Sequence, residues 1–434
     1  TNQGDVPARH RSIRTIFDHT WELLPEENRD CFRRLAVFRG GFRREAAHHV
    51  ADADIRVLDA LIARSILRRV SGDRYTMHDM LRRFAAERLD SAPAEAARVR
   101  RRHMEYYLKR VHDLEPALRN HRQLNALELL NQDMDNIRAA WLAAADTNET
   151  DPMLETVGAL FFCFDIQTRF HDGWEMFREA VDRLQHQPSS GNGDAARRRD
   201  ILMAVLQAFQ GWFLRYIDRD RAEIFLVQGA GVLAGIERGP FWALVETLLV
   251  FAGIRTDPGR NRRVLEECLA VFEDAGDPWM AALVMDALAL GAYLESDMPV
   301  DAGDTGESAV PERARIMAEK SLAVRRDRGD IWGMALSHTV LALLAETVSD
   351  WDDAGLHHRH SLLLRRKLGT DMDGVVDCLA GLGRVERHRH RPRAALDYYT
   401  EAVDVLDSVN NRGRRAGLEE VANELRLRLE TESE

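Results

Sequence analysis

The lysines of the sequence limit the phosphate chemistry that the chain can perform. Only three of its 60 basic residues are lysines: Lys109, Lys320 and Lys367. The phosphate-binding loop of nucleotide hydrolases needs a lysine directly after a glycine-rich segment, and none of the three follows one. The same shortage removes most candidates for Schiff-base chemistry and for a kinase lysine. The sequence therefore contains no phosphate-binding loop of this kind.

The cysteines and histidines form no recognisable metal or catalytic motif. The chain has four cysteines: Cys31, Cys163, Cys268 and Cys378. Their spacing excludes a zinc knuckle or a thioredoxin-like pair, and scattered thiols are typical of a reducing cytosol. Histidines cluster at 357–360 and 388–390, where neighbouring arginines disfavour a cation. The hydrolase motifs G-x-S-x-G and H-E-x-x-H are absent. We therefore expect no metal site, no catalytic residues and a cytoplasmic location.

Charge is distributed unevenly along the 434 residues. The chain has a net charge of −11, with 45% hydrophobic and 30% charged residues, as expected of an ordinary globular protein. Residues 1–110 carry 23 basic and 16 acidic side chains, a net charge of +7, which leaves −18 on the remainder. The apolar runs are too short to cross a membrane. A basic segment of 110 residues, called the head below, followed by an acidic remainder indicates separate domains that contact different partners.

The elements of the head follow the order of a winged helix, which we predict over residues 1–95. Short strands are predicted at Leu67–Val70 and Tyr75–Met77, because Ser71-Gly72-Asp73 between them is a good hairpin turn. Helices are predicted over residues 8–24, 25–38, 43–51, 54–65 and 79–89. Helices of this number with one hairpin are typical of winged-helix domains.

The rest of the chain shows a helical pattern and no strand pattern. Leu-Ala-Val followed by Gly-Asp occurs in both 266–277 and 319–330, and the repeat period is near 40 residues. This period, with two helices in each unit, predicts a helical solenoid. The predicted segments are a helical arm at 96–150, about six repeats at 151–410 and a capping helix at 411–434, with loops at 186–196 and 297–310.

The first helix of each repeat carries a large residue followed by a small one. The pairs are Phe251-Ala252, Leu288-Ala289, Leu341-Ala342 and Leu382-Gly383. The small residue allows two helices to approach closely, and the large one fills the core. The pair and the period resemble tetratricopeptide repeats. The predicted fold is therefore all-α apart from a small β-hairpin wing: a winged helix, a helical arm and a tetratricopeptide-like α-solenoid superhelix.

The concave groove is the usual binding face of such a solenoid. In the predicted register its lining contains five carboxylates before two arginines, which suggests a basic or amphipathic ligand. The alternative is that these residues form the solvated face of an acidic protein. The predicted lining residues are Glu246, Asp257, Leu283, Asp286, Leu290, Tyr293, Leu336, Thr339, Glu346, Asp377, Arg384 and Arg387.

The head also resembles the winged-helix domain of the bacterial signal transduction ATPases with numerous domains (STAND proteins), which are related to the NLR proteins. The residues that carry the resemblance are Arg9 to Ser12, Trp21 to Leu24, Arg33 to Phe38, Gly40 to Phe42 and the motif Met77-His78-Asp79. Residues 100–145, including Asp133 to Ala140, resemble the helical arm of the same class. The repeats take the place of its sensor, so the resemblance extends over essentially the whole chain.

The resemblance implies a regulatory protein that is not itself an enzyme. In the class, the histidine at the position of His78 reaches the phosphates of bound ADP, and Met77 and Asp79 lie beside it. We expect Asp79 to cap the helix that follows. The nucleotide-binding module, with ADP or ATP and Mg²⁺, would lie upstream, which makes this chain the C-terminal portion of a longer ATPase switch. The repeats would bind an inducer, a peptide, protein or small molecule, and activation would lead to oligomerisation.

Two other functions remain open from the sequence. A winged helix can place a helix in the major groove of DNA, and Arg56, Arg64 and the arginines of the wing could contact phosphates. Acidic residues interrupt these arginines, so DNA is not the expected partner. The third function is a scaffold that collects partner peptides without a switch. A membrane partner is not expected.

Overall fold

The computed structural model describes residues 15, 17–187, 193–255, 257–296, 309–408 and 412–431. These residues form two compact units. One unit contains the described residues up to Leu114, together with Glu128–Thr156 and Arg183–Gln187. The other contains Glu115–Leu127, Val157–Asp182 and the described residues that follow Pro188. Within the described residues, no helix combines the length and apolar character needed to cross a membrane.

The first unit begins with helices and a three-stranded antiparallel sheet. Residues 17–22 are helical (α1), and a 3₁₀ turn at Leu35–Val37 follows α2. The sheet has the order β1-β3-β2, with Phe42 opposite Tyr75 and Leu67 opposite Met77. The elements are α2 (Glu26–Arg34), β1 (Gly41–Arg43), α3 (Arg44–Ala51), α4 (Ile55–Ala63), β2 (Leu67–Ser71), β3 (Arg74–Met77) and α5 (Asp79–Asp90).

This arrangement confirms the predicted winged helix and adds one strand to it. The hairpin lies where the sequence placed it, as β2 and β3. Strand β1 was not predicted: Gly41 and Phe42 lay between two predicted helices, and Arg43 was assigned to the second of them. Its pairing with β3 fixes the start of α3, since Arg44 N donates to Asp73 O at 3.0 Å. Residues 8–14 of the predicted first helix lie outside the described residues.

Two long helices, α6 (Pro93–Leu118) and α7 (Gln123–Asp146), form the predicted arm. The rings of Phe38 and Phe42 stack with centroids 4.4 Å apart, and Tyr107 of α6 packs edge-on against Phe38. All three rings are almost completely buried. Burial of large aromatic side chains makes the arm and the winged helix one packed body within this unit.

The second unit is a series of antiparallel helices. No strand occurs among its described residues, as the sequence predicted. The helices from residue 150 onward are α8 (Thr150–Ile166), α9 (Phe170–Gln185), α10 (Asp194–Leu214), α11 (Arg219–Ile236), α12 (Pro240–Phe251), α13 (Pro258–Asp274), α14 (Pro278–Ser296), α15 (Ala309–Arg328), α16 (Ile331–Thr347), α17 (Trp351–Leu368), α18 (Met372–His388), α19 (Pro392–Ser408) and α20 (Arg412–Thr431). Of the predicted loops at 186–196 and 297–310, residues 188–192 and 297–308 lie outside the described residues, whereas residues 194–196 and 309–310 already belong to α10 and α15.

Aspartates start several of these helices in the same way. The side chain of the residue before the helix accepts a hydrogen bond from the backbone N–H three positions later, as an N-cap does. The capping residues include Asp218, Asp257, Asp330, Asp350 and Asp371. Gly276 and Gly329 precede Asp277 and Asp330 with positive φ angles of 65° and 71°, and Asp277 Oδ1 accepts from Met280 N at 3.1 Å. The Gly-Asp pairs seen in the sequence therefore mark helix ends followed by helix starts.

In three of the four predicted pairs, the small residue lies where two helices meet. Ala289 and Ala342 have no exposed surface. A Cβ atom on Gly383 would lie 2.7 Å from the ring of Tyr399 in α19, so the contact between α18 and α19 requires glycine. Ala252 differs, because it follows the end of the short helix α12.

Candidate functional site

His78 stands at the junction of strand β3 and helix α5. Met77 ends the strand and is buried, whereas the His78 side chain is exposed. Nδ1 of His78 accepts a hydrogen bond from Met80 N at 3.3 Å and so caps α5. A ring nitrogen that accepts is unprotonated, so the neutral imidazole carries its proton on Nε2. His78 therefore presents an N–H donor at the surface.

The capping role that was predicted for Asp79 belongs to His78 in the structure. Asp79 was expected to cap α5, but it is the first residue of the helix. Its carboxylate is 79% exposed and lies 3.3 Å from Nε of Arg82. Because His78 precedes the first helical residue, it is the residue whose side chain can reach the free N–H groups.

Arg39 and Arg82 lie near Asp79 at this end of α5. Burial and the nearby positive charges of Arg82 and Arg100 hold the pKa of Arg39 below its ordinary value, and the Asp79 carboxylate opposes this shift. Arg39 Nη1 is held by the backbone oxygen of Ala36 at 3.2 Å. Two guanidinium groups, those of Arg39 and Arg82, beside the single carboxylate of Asp79 leave a net positive charge, which favours an anion.

Helix α7 fixes this surface through one buried amide. Asn136 has no exposed surface, and its Oδ1 accepts from Arg39 N at 2.7 Å. Its Nδ2 donates to Gly41 O at 2.9 Å. Asn136 therefore holds both ends of the turn that precedes β1, where Gly40 has a φ angle of 67°.

A buried carboxylate makes a second connection between the arm and the sheet. Asp133 is 2% exposed, and its two oxygens accept from Arg74 at 2.5 Å and from Arg110 at 2.8 Å. Ion pairs of this kind are costly to break once formed, because a single buried charge would remain. The segment Asp133–Ala140, noted in the sequence only for its resemblance, thus provides polar contacts between the arm and the winged helix, through Asp133 and Asn136.

Several carboxylates predicted to line the groove are already paired. Glu246 is 6% exposed and lies 2.8 Å from Nη2 of Arg255. Burial raises the pKa of Glu246, and Arg255 opposes the shift. The carboxylate of Asp257 caps α13 by accepting from Arg260 N at 3.0 Å.

Asp286 differs most from its predicted place at an open groove. It has no exposed surface and lies 3.1 Å from Nη2 of Arg325, which is equally buried. The second guanidinium nitrogen of Arg325 lies 3.0 Å from Asp330, and Ser337 donates to Asp286 at 3.1 Å. Burial raises the pKa of Asp286 to about 6, with Arg325 opposing the shift. The Asp286 carboxylate therefore links α14 to α15 and α16, and a ligand cannot reach it. Leu283, another residue predicted to line the groove, is also buried.

The structure does bring Glu346 and Arg384 together. Nε of Arg384 donates to Glu346 at 2.9 Å, and His358 forms a second hydrogen bond to this carboxylate at 2.7 Å. Burial alone would raise the pKa of Glu346, but the His358 and Arg384 hydrogen bonds hold it below its ordinary value. A basic ligand would have to displace these partners from Glu346. The structure therefore does not favour the predicted binding of a basic ligand by this carboxylate.

The remaining predicted lining residues are mostly half-buried. Tyr293 packs against the buried core of helices α14 to α16, and Thr339 accepts from Arg365 at 3.2 Å. Arg387 is exposed, whereas Leu290, Leu336 and Asp377 are partly accessible. A ligand role for these residues stays a prediction.

The histidines of α16 and α17 lie close together. Nδ1 of His338 and Nδ1 of His357 are 2.8 Å apart. Burial lowers the pKa of His338 to about 4, so its ring is neutral near pH 7. Among the residues that the structure describes, no group of three or more histidines, cysteines or carboxylates is arranged to hold a metal ion.

Comparison with known proteins identifies the repeats. The sequence profile of the tetratricopeptide repeat family matches residues 333–408. This segment consists of tetratricopeptide repeats. It covers most of α16 and all of α17, α18 and α19, where the predicted Leu341-Ala342 and Leu382-Gly383 pairs occur.

Two curated relatives and one solved structure are similar to larger parts of the chain. The relatives are provisionally named HTH-type transcriptional regulators, Mb0914c of Mycobacterium bovis and Rv0890c of Mycobacterium tuberculosis, each 33% identical over 188 residues. The match covers 40% of this chain, and the chain spans about a fifth (20%) of each relative. The solved structure is a STAND protein with a tetratricopeptide repeat sensor, PH0952 from Pyrococcus horikoshii. It shares 14% identity and a TM-score of 0.47, over 94% of this chain and 64% of that one.

Proposed function

We propose that this chain is the regulatory portion of a nucleotide-dependent signalling switch, in which the repeats bind an inducer and the winged helix contacts a nucleotide-binding module. The observation that carries the proposal is the position of His78. Its ring is exposed, its Nδ1 is engaged in the cap of α5, and its Nε2–H is left for a ligand. The arginines near Asp79 would favour an anion at the same surface.

These residues fit the phosphates of an adenine nucleotide. An imidazole N–H and guanidinium groups are donors that phosphate oxygens accept. When bound, the nucleotide would supply the negative charge that draws this surface against the module that holds it. His78 would donate one hydrogen bond to a phosphate, and Asn136 would keep the adjacent turn in place.

Inducer binding would act by shifting a population. A ligand that binds the open form more tightly than the closed form moves the equilibrium toward the open form, by no more than the difference between the two affinities. The closed form would retain ADP through His78. The open form would exchange it for ATP and oligomerise.

The test measures nucleotide retained by the full-length gene product. The sequence upstream of Thr1 is first read for a phosphate-loop lysine, whose absence would contradict the proposal. The variant His78→Asn keeps a capping oxygen, because Asn is a good N-cap, but it lacks the imidazole. We expect ADP to dissociate about tenfold faster, corresponding to one hydrogen bond to a charged group, as measured by chromatography of released nucleotide.

The control for this test is His112→Asn. His112 is an exposed residue of α6 in the same unit. Its substitution should leave the ADP dissociation rate unchanged. Equal rates in wild type and His78→Asn would show that His78 has no part in retaining the nucleotide.

DNA binding is the second candidate function. Arg56 of α4 is 88% exposed, Arg68 and Arg69 of the wing are also exposed, and the curated relatives bear the name of transcriptional regulators. Against it, Arg56 pairs with Asp54 at 3.0 Å. A salt-dependent mobility shift of duplex DNA by the chain, lost in Arg68→Glu/Arg69→Glu, would favour this function. A scaffold without a switch would show neither this shift nor coupling between inducer and nucleotide.

A further inference from the structure

Helix α11 carries exposed apolar residues on the side that faces away from α10. On the packed side, a Cβ atom on Gly229 would lie 2.8 Å from Ala208 of α10. On the other side, Ile224, Val227 and Val232 are 49%, 44% and 46% exposed. Residues three and eight positions after a given residue lie on the same side of a helix, so these three side chains form one strip. Apolar residues that cluster on an exposed face mark an interaction surface, whereas scattered ones do not.

Two glycines, Gly231 and Gly235, lie in the middle of this apolar strip. A Cβ atom on either of them would meet nothing within 4 Å, and neither has a positive φ angle. Neither the packing of the described residues nor the backbone conformation therefore requires glycine at these two positions. Glycine in a helix interior is less stable than alanine. The two glycines leave a shallow space on the surface of α11, into which side chains of another molecule can fit.

Helix α13 lies beside α11 and runs in the same direction, since both pack against α12. Its charges are in an order that the helix itself does not favour. Apart from the capping residue Asp257, its first turn contains no acidic residue, and its last turn contains no basic one. The helix dipole prefers acidic residues near the N-terminus and basic residues near the C-terminus. The exposed charged residues of α13 are, in chain order, Arg260, Arg262, Arg263, Glu266, Glu267, Glu273 and Asp274.

A second copy of the chain in antiparallel orientation is complementary to both helices. A two-fold axis perpendicular to α13 places its arginine half against the carboxylate half of the other copy, and the reverse at the other end. A parallel arrangement would place like charges together.

The apolar strip of α11 fits the same symmetry. In an antiparallel pair, Val227 of one copy lies opposite Gly231 of the other when Ile224 lies opposite Gly235, because the two spacings along the helix are nearly equal. The large side chains then fill the space above the glycines. The centres of the two patterns, in α11 and in α13, lie about one repeat apart along the chain, so a single two-fold axis can pass close to both.

We infer that the surface formed by α11 and α13 is the contact between two copies of this chain in a symmetric antiparallel dimer. The inference goes beyond the proposed function, because this contact involves the repeats alone and needs no nucleotide. Either of the two can fail without the other. Two helices from each copy form a smaller contact than that of a permanent dimer, so we expect reversible association with a Kd of about 1–100 μM.

The test measures the mass of the purified chain by sedimentation equilibrium, at concentrations of about 1–200 μM. The average mass should rise from that of one chain toward that of two chains. Because the charged residues of α13 are exposed, salt should screen their pairing, and the dimer should be weaker in about 0.5 M NaCl than at low salt. A chain that stays monomeric at every concentration would overturn the inference.

Charge reversal tests the antiparallel pairing. Arg260→Glu/Arg263→Glu makes α13 acidic along its whole length and should raise the Kd about tenfold or more. Adding Glu266→Arg/Glu273→Arg to this variant reverses both halves, so the two copies are complementary again. The Kd of this fourfold variant should return to within about threefold of the wild-type value. Failure to restore association would overturn the inference.

A control and an apolar variant complete the design. Lys320→Glu/Arg359→Glu changes the net charge by the same amount at exposed positions of α15 and α17, and should leave the Kd within about twofold of wild type. Ile224→Glu places a carboxylate in the apolar strip and should raise the Kd about tenfold or more. Circular dichroism checks the fold of each variant, and Val227→Glu replaces Ile224→Glu if the latter unfolds. A folded variant of the strip that dimerises as wild type does would overturn the inference, as would an equally large loss in the control.

Discussion

His103 shows how one buried side chain links the arm to the winged helix and makes stability depend on pH. It is 4% exposed, its Nε2 lies 3.2 Å from Asn136 Oδ1, and its ring packs against Phe38. Burial lowers the pKa of His103 to about 4 from an ordinary value of 6.5. The folded chain therefore keeps this ring neutral at pH values where the unfolded chain has protonated it.

We predict that the first unit loses stability as the pH falls through this window. Below pH 6.5 the unfolded state takes up a proton that the folded state refuses until about pH 4. The free energy of unfolding should fall by about 1.4 kcal/mol per pH unit, or about 3 kcal/mol in total. Urea unfolding of wild type and His103→Gln near pH 7 and pH 5 measures this. The pH dependence should be smaller in the variant; an equal dependence would assign the effect to other groups.

The identities of the residues did not predict their hydrogen-bond and ion-pair partners. The sequence indicated His78 by its motif, but not that its Nδ1 would cap α5 and leave Nε2 as the donor. Asp286 and Glu346 looked like free acids on helix faces. Their partners Arg325 and Arg384 lie 39 and 38 residues away, and only the stacking of repeats brings them within 3.1 Å. Pairing of this kind depends on three-dimensional packing, which a single sequence does not display.

At the scale of elements, the contact between α18 and α19 depends on Gly383. We predict that Gly383→Ala lowers the free energy of unfolding by about 1–3 kcal/mol, because the added methyl group would overlap the ring of Tyr399. Thermal unfolding followed by circular dichroism measures the loss. Gly417→Ala in α20 is the control: its Cβ meets nothing within 4 Å, and removing a glycine from a helix should stabilise by up to about 1 kcal/mol. Similar effects of both substitutions would mean that the close approach is unimportant.

Helical periodicity was enough to predict most elements but not their ends. The long helices and the hairpin β2–β3 were predicted because each has a clear period and clear turn residues. Strand β1 is only Gly41–Arg43, too short to show alternation, and its pairing with β3 comes from tertiary structure. The early end of α12 at Phe251 was also missed. It breaks the repeat pattern on which the register was based.

At the scale of the whole molecule, helices α6 and α7 each contribute residues to both compact units. Their connecting turn belongs to the second unit, where Gln123 is completely buried. Its Nε2 donates to Asp330 Oδ1 at 2.9 Å, and its Oε1 accepts from Trp332 N at 3.0 Å. His121 N also donates to Arg328 O at 2.8 Å. The start of α16 is thus held by a segment more than 200 residues earlier in the chain.

We predict that Gln123→Leu loosens the start of α16. The substitution leaves the backbone N–H of Trp332 and one oxygen of Asp330 without this partner, so the free energy of unfolding should fall by about 1–3 kcal/mol. Hydrogen exchange followed by mass spectrometry should show faster exchange in a peptide that contains Trp332. Gln207→Leu is the control, because Gln207 bonds only the exposed side chain of Gln228 at 2.7 Å among the contacts described. Unchanged exchange near Trp332 would show that the contact carries little energy.

The short helix α12 has a mechanical consequence for the array. A stack of helices resists bending through the length over which neighbouring helices touch, and α12 offers its neighbours 12 residues where α16 and α18 offer 17. We therefore expect the stack to bend most readily at this repeat. Bending forced on either end of the stack should concentrate at this repeat. A molecule bound in the space that the short α12 leaves should make the stack more rigid.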